Sequence, residues 1–218
     1  VYALGSSVTL EMFEDEQYNF IQKIPSLLAD SINETYEVVA FNVLNRAFNA
    51  SFLGADGVVL ASTAHPLVGQ QGATYSNRPT VAADLTQTSL ENAFIAISDF
   101  VDDQSKKINL KAKLLIVPTA LQFTAEKILG TAMKVDSADN TMNPMKGKVG
   151  SLVVPFLTDS DAWFLQTNCQ EGLIMTMKRA AKLERTNEFD TQNLKFATTC
   201  RLGVNFVNPR CIYASPGA

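Results

Sequence analysis

Apolar positions recur at Ile21, Ile24, Leu28, Ile32, Tyr36, Val39, Val43 and Ala47, each three or four residues after the last. That is the period of an α-helix with one buried stripe, and it predicts a single long helix over residues 14–48. Residues 2–10 ahead of it read as a strand. The carboxylates of Glu11, Glu14, Asp15 and Glu16 crowd the helix entry, where the positive end of the helix dipole favours them. Pro25 lies inside the stripe. It lacks the N–H that the helix ladder uses and its ring crowds the preceding turn, so a kink or a break is expected there.

Beyond the helix the pattern shortens. Two glycines and Asp56-Gly57 mark a turn over residues 52–57, residues 58–61 read as a short strand, and residues 63–79 read as loop. The middle third reads as α/β. Ser89 is expected to cap a helix with Leu90, Phe94, Ile97 and Val101 on one face. Residues 114–118 form a buried-strand pattern ended by Pro118. Thr119 should then cap a second helix, carrying Leu121, Phe123, Ala125, Ile128 and Leu129 and stopped by Gly130. A polar loop covers residues 136–150, and strands are predicted at 152–156 and 162–166.

The last third is β-rich. Residues 173–178 and 182–189 read as two strands, followed by a turn over residues 190–193. The cleanest alternation in the chain comes next. Phe196, Thr198, Cys200, Leu202, Val204 and Phe206 point one way, while Lys195, Thr199, Arg201 and Asn205 point the other. Period two over this length predicts a long strand with one wet face. Pro209 ends it, and Ile212-Tyr213 is a last extended piece.

Composition narrows the function classes. Apolar residues make up 46% and charged residues 18%, as in a folded chain rather than a disordered one. No apolar run approaches the ~20 residues of a membrane helix. The net charge of −4 lacks the basic surplus of a protein that grips phosphates, although enclosing DNA needs no such surplus. Three cysteines without a CxxC pair fit buried free thiols in a reducing compartment better than a disulfide framework or a zinc site.

Candidate chemistry is sparse. His65 is the only histidine, so a Ser-His-Asp or Cys-His device would have to use it, yet no nucleophile motif surrounds it. A hydrogen-bonded loop histidine is the expected role. Asp159-Ser160-Asp161, and Asp136 with Asp139-Asn140, lack the register and closing glutamate of a calcium loop and read as solvated turns. Gly54-Ala55-Asp56-Gly57 and Gly147-Lys148-Val149-Gly150 do not match a phosphate loop. The one basic group is Lys178, Arg179, Lys182 and Arg185. It reads as a strand edge kept basic against aggregation, or else as a DNA-facing or inter-subunit patch. The want of a titratable cluster turns the expectation toward assembly, with no cofactor and no metal.

Several segments, taken in order, resemble the major capsid proteins of tailed phages, in particular the Mu-like head-subunit group. Tyr2-Ala3-Leu4-Gly5-Ser6-Ser7-Val8-Thr9-Leu10-Glu11-Met12 with Glu14-Asp15-Glu16-Gln17-Tyr18 is similar to that family's junction between strand and spine helix. Gly57-Val58-Val59-Leu60-Ala61-Ser62-Thr63-Ala64-His65-Pro66 resembles its next hairpin. Asn143-Pro144-Met145-Lys146-Gly147 and Asp159-Ser160-Asp161-Ala162-Trp163-Phe164-Leu165 resemble a loop and a strand of its central domain. The stretch from Arg201-Leu202-Gly203-Val204-Asn205-Phe206 to Tyr213-Ala214-Ser215-Pro216-Gly217 resembles its closing strand.

The resemblance implies an α+β chain with the tailed-phage major capsid fold. Residues 1–13 would be the returning strand of an extended loop. Residues 14–80 and 168–218 would form a β-rich peripheral domain with the spine helix, and residues 81–167 an axial α/β domain, its polar loop near the capsomer centre. It implies a non-enzymatic, homo-oligomeric subunit of pentamers and hexamers, enclosing double-stranded DNA without reading its sequence. Such a subunit belongs to the virion, assembles in the host cytoplasm, meets decoration, scaffold or portal proteins, and enters no membrane. Glu11, Glu14 and Glu16 are expected to meet Lys178, Arg179, Lys182 and Arg185 of a neighbouring copy, with the helix bending at Pro25 to suit five- and sixfold positions. The rival readings are a cellular nanocompartment shell of the same fold and a hydrolase using His65.

Overall fold

A computed structural model of the chain describes residues 1–133 and 141–218. In chain order the elements are β1 (Tyr2–Val8), α1 (Leu10–Glu14), α2 (Phe20–Asn45), β2 (His65–Pro66), β3 (Thr74–Tyr75), α3 (Gln87–Ser98), β4 (Ala112–Pro118), a 3-10 turn (Thr119–Leu121) and α4 (Gln122–Gly130). Then follow β5 (Gly150–Val154), β6 (Trp163–Thr167), β7 (Leu173–Asn187), β8 (Leu194–Phe206), a second 3-10 turn (Pro209–Cys211) and β9 (Ile212–Ser215). The chain divides into two compact units. One holds Val1–Ala40 and Met175–Val204, the other Phe41–Ile174 and Asn205–Ala218.

The first unit is a helix on a three-stranded sheet of order β1-β8-β7. β1 runs antiparallel to β8, with Tyr2 opposite Cys200 and Val8 opposite Leu194. The alternation expected in β8 is observed. Leu194 and Phe196 turn inward onto Ile21, Ile24 and Leu28 of α2, together with Val8. Further along, Cys200 and Leu202 meet Ile32, with Tyr36 and Val39 packed against them. The period of 3.6 on the helix and 2 on the strand therefore present matching apolar rows. Each Leu or Ile buried in these rows contributes about 1.5–3 kcal/mol.

The helix entry differs from expectation. The chain breaks between α1 and α2, so the long helix starts at Phe20 rather than at 14, and Asn19 takes a left-handed conformation at φ 55°. No break occurs at Pro25, through which α2 runs unbroken. The reason is local: Ile21, Ile24 and Leu28 bury on both sides of the proline in one core, which offsets the loss of a single ladder bond.

The second unit is built on a four-stranded sheet of order β5-β4-β6-β9. β4 pairs parallel with β5 and antiparallel with β6, placing Leu115 opposite Leu165 and Ile116 opposite Phe164. Alternate residues go to opposite faces. Leu115, Val117, Trp163, Leu165 and Tyr213 join Leu90, Ala93 and Ile97 of α3 and Ala125 and Leu129 of α4. Ile116, Phe164, Ile212 and Ala214 join Leu44, Ala47, Leu60 and Phe206. A sheet covered on both faces explains why these strands read as continuous apolar runs.

Local corrections follow from capping and pairing. Thr86, not Ser89, caps α3; Ser89 supplies the reciprocal bond three residues on. Thr119 opens a 3-10 turn instead of capping α4. Residues 58–61 form no strand beyond the single bridge between Leu53 and Val59, whereas His65–Pro66 and Thr74–Tyr75 pair inside the predicted loop. Of the polar loop, Asp136, Asp139 and Asn140 lie outside the described residues. Its remainder is pinned by Asn143, whose Nδ2 donates to the carbonyls of Ile128 at 2.6 Å and Thr131 at 3.0 Å.

Candidate functional site

All seven sequence-predicted contact residues lie in the first unit. Lys178, Arg179, Lys182 and Arg185 sit on β7, which is one 15-residue strand where two had been expected. The sequence gives no period-two signal there because every residue of β7 is exposed, on both faces and along an outer edge of the sheet. Strand geometry sorts the four cations. Lys182 Nζ bonds Glu184 Oε1 at 2.6 Å, two residues on and on the same face, and this bond holds the Glu184 carboxyl below its ordinary value. Lys178 shares that face by the same period. Arg185 lies on the other face, its guanidinium 6.0 Å from the ring centre of Phe196, and so turns toward the side where α2 packs. Arg179, six residues earlier, shares the face of Arg185.

The acidic residues divide as well. Thr9 caps α1 by accepting from the Met12 N–H, and Glu11 falls in the first turn. No residue of α1 is buried; Met12 and Phe13 are 59% and 46% exposed. Glu16 is half-buried and accepts a hydrogen bond from the Ile21 N–H, so it satisfies the start of α2 rather than standing free. Within one chain the structure does not bring the acids and cations together. Among the described residues, no ion pair joins Glu11, Glu14 or Glu16 to β7.

His65 is fully buried in the second unit. Its Nδ1 lies 2.7 Å from Asp56 Oδ2 and its Nε2 3.1 Å from Asn77 Oδ1. The Asn77 amide is oriented by its Nδ2, which donates to the carbonyls of Leu60, Pro209 and Ile212 at 2.6, 3.0 and 3.1 Å. Asp56 is held in turn by the glycine turn, its Oδ1 accepting from the Val58 N–H at 3.1 Å. Both ring nitrogens are thus engaged by structural partners. The Ser62 hydroxyl accepts from the Ala64 N–H at 3.1 Å, and neither ring nitrogen of His65 is directed at it. Tyr75 stacks on His65 with ring centres 5.0 Å apart, and Arg210 covers Tyr75 at 4.4 Å while pairing with Asp103 at 2.8 Å. Burial pushes the Tyr75 hydroxyl well above its ordinary pKa. The Cys211 thiol is pushed up to about 12, by burial first and by nearby Cys169 second. Such groups hold a loop in place and do not exchange protons near neutrality.

The sequence alone singles out His65 but not Asp56, Asn77 or Arg210. Their only signal was polar residues in loops rich in glycine and proline, which does not reveal burial. Among the described residues, no group of three or more His, Cys, Asp or Glu side chains could hold a metal ion. None of their helices is long and apolar enough to cross a membrane.

In the first unit a long strand is exposed on both faces, and in the second the His65 side chain is buried and held by Asp56 and Asn77. The sequence profile of the phage capsid protein family matches residues 1–215. The chain belongs to the phage capsid protein family. As a member it is a capsid protein, a structural component of the virion. It is 32% identical over 77 residues to the major capsid protein of Escherichia phage Mu. That match covers 35% of this chain and only about a quarter of the Mu protein's length, 25%. The fold is that of tailed-phage capsids. The capsid of bacteriophage JBD30, decorated with minor capsid protein trimers, superposes with a TM-score of 0.58 at 15% identity, covering 72% of this chain and 74% of that one. The structure of Mycobacterium phage Patience gives 0.60 at 9% identity over 98% of this chain and 67% of that one.

Proposed function

We propose that this capsid chain is the shell-forming part of a major head subunit, whose copies close into an icosahedral shell around the double-stranded DNA of a tailed phage. The family match across residues 1–215 carries this reading. The exposed β7 and the unburied α1 support it as surfaces left for neighbours. In this reading the subunits form pentamers and hexamers in the host cytoplasm. Residues 14–80 and 168–218 serve as the peripheral domain and residues 81–167 as the axial one. A decoration protein is a further partner, since the JBD30 capsid carries minor capsid protein trimers. A shell of this kind holds by multivalency: each contact is modest, and closure over many copies makes the whole stable.

The rival readings have less support. A hydrolase built on His65 lacks a ring nitrogen facing a nucleophile, since both are taken by Asp56 and Asn77. A nanocompartment shell shares the fold, but the matching family is one of phage capsids. The contact between copies is proposed to involve the cations of β7 and the carboxylates around α1. Reversing Lys178 and Arg179 to glutamate in the full-length protein should leave the subunit folded by circular dichroism while abolishing fast-sedimenting particles. Unchanged sedimentation would count against the contact.

A further inference from the structure

Between Arg179 and Arg185, β7 presents Ala181 and Leu183 on the side of its sheet where α2 packs. α2 does not cover them, for both are exposed and Leu183 is 47% open. Met177 continues the same row at 46%. This is an apolar shelf with an arginine at each end. Six residues of strand separate the arginines, a span of about 20 Å.

α1 has the opposite character. Its five residues make a rod about 7.5 Å long, which fits between the two arginines. Glu11 and Glu14, three apart, share one side of the helix, and Phe13 projects about 100° round the axis from Glu14. Phe13 is exposed, and among the described residues neither carboxylate has an ion-pair partner. One surface is apolar with cations at its ends, the other carries an exposed aromatic ring and an anionic side, and among the described residues no ion pair joins the two within one copy.

We propose that α1 of a second copy seats on this shelf, with Phe13 against Ala181 and Leu183, and Glu11 and Glu14 toward Arg179 and Arg185. This deepens the shell-forming reading and rests on it. It also divides the seven candidates: Lys178 and Lys182 face away from the contact, and Glu16 stays with α2. The donor and acceptor surfaces differ, so the contact is heterologous and can be repeated around a closed ring. A single contact of this size is weak and takes effect only when repeated through a shell.

The test uses the full-length protein. R179E/R185E should lower shell yield by roughly tenfold or more, since a small loss recurs at every copy. The combined change E11K/E14K/R179E/R185E should restore it, and K178E/K182E should leave it unchanged. Independently of any charge change, F13C copies mixed with L183C copies during assembly should give a 13–183 disulfide-linked dimer on mild oxidation, identified by peptide mass spectrometry. Co-assembled shells without that link, or normal shells from R179E/R185E, would overturn the docking while leaving the shell-forming reading intact. Wild-type protein that forms no shell at all would overturn both.

Discussion

Asn77 shows what single residues do in this chain. It is fully buried, and its side chain serves three carbonyls, the Ser62 N–H and His65 at once. Asn77→Ala would strand several of these groups away from water, at about 1–3 kcal/mol for each one left unpaired. The expected result is a loss of about 3 kcal/mol or more in subunit unfolding free energy, read by denaturant titration of dissociated subunits. Ser62→Ala should change it by only about 0.5 kcal/mol, because the hydroxyl makes one exposed bond to a neighbouring N–H. Equal effects would mean that the His65 network is not the staple described. The network itself was not legible in the sequence. Asp56, His65 and Asn77 stand nine and twelve residues apart in turns, and nothing in a loop's composition tells which polar side chain is buried. His65 alone could be singled out, by being the one histidine.

Among the elements, legibility followed burial. α2 and β8 were readable because each has one wet and one dry face, so apolar residues recur at the period of the backbone. β7 was read as two pieces because neither face is buried and its polar middle breaks no pattern that existed. The break between α1 and α2 is not legible because Glu11, Glu14, Asp15 and Glu16 read as one acidic first turn, whereas Glu16 stands before α2 and accepts from the Ile21 N–H. Pro25 was legible as a fault, but its consequence depended on packing on both sides. With the helix unbroken, the proline leaves the Ile21 carbonyl without its ladder bond, a local weakness where bending costs less. If that flexibility serves five- and sixfold positions, Pro25→Ala should stiffen α2 and shift the yield of closed shells or their expansion. Shells of unchanged size, yield and expansion would remove that role.

For the whole molecule, the two units have their own cores, and the polar interior of the second is engaged by structure rather than by chemistry. What remains free is surface: α1, the full length of β7 and the exposed rows beside them. These exposed surfaces are what the proposed shell-forming role would use for contacts between copies. The fold class was legible as a succession of patterned elements, whereas the partners of the exposed strands were not, because surfaces that bury only in an assembly carry no periodic signal in one chain. The most direct measurement is cryo-electron microscopy of particles formed by the purified full-length protein. The account predicts closed icosahedral shells into whose density both units fit, with β7 covered by a neighbouring copy. Protein that stays monomeric under assembly conditions, or shells in which β7 faces only solvent, would contradict it.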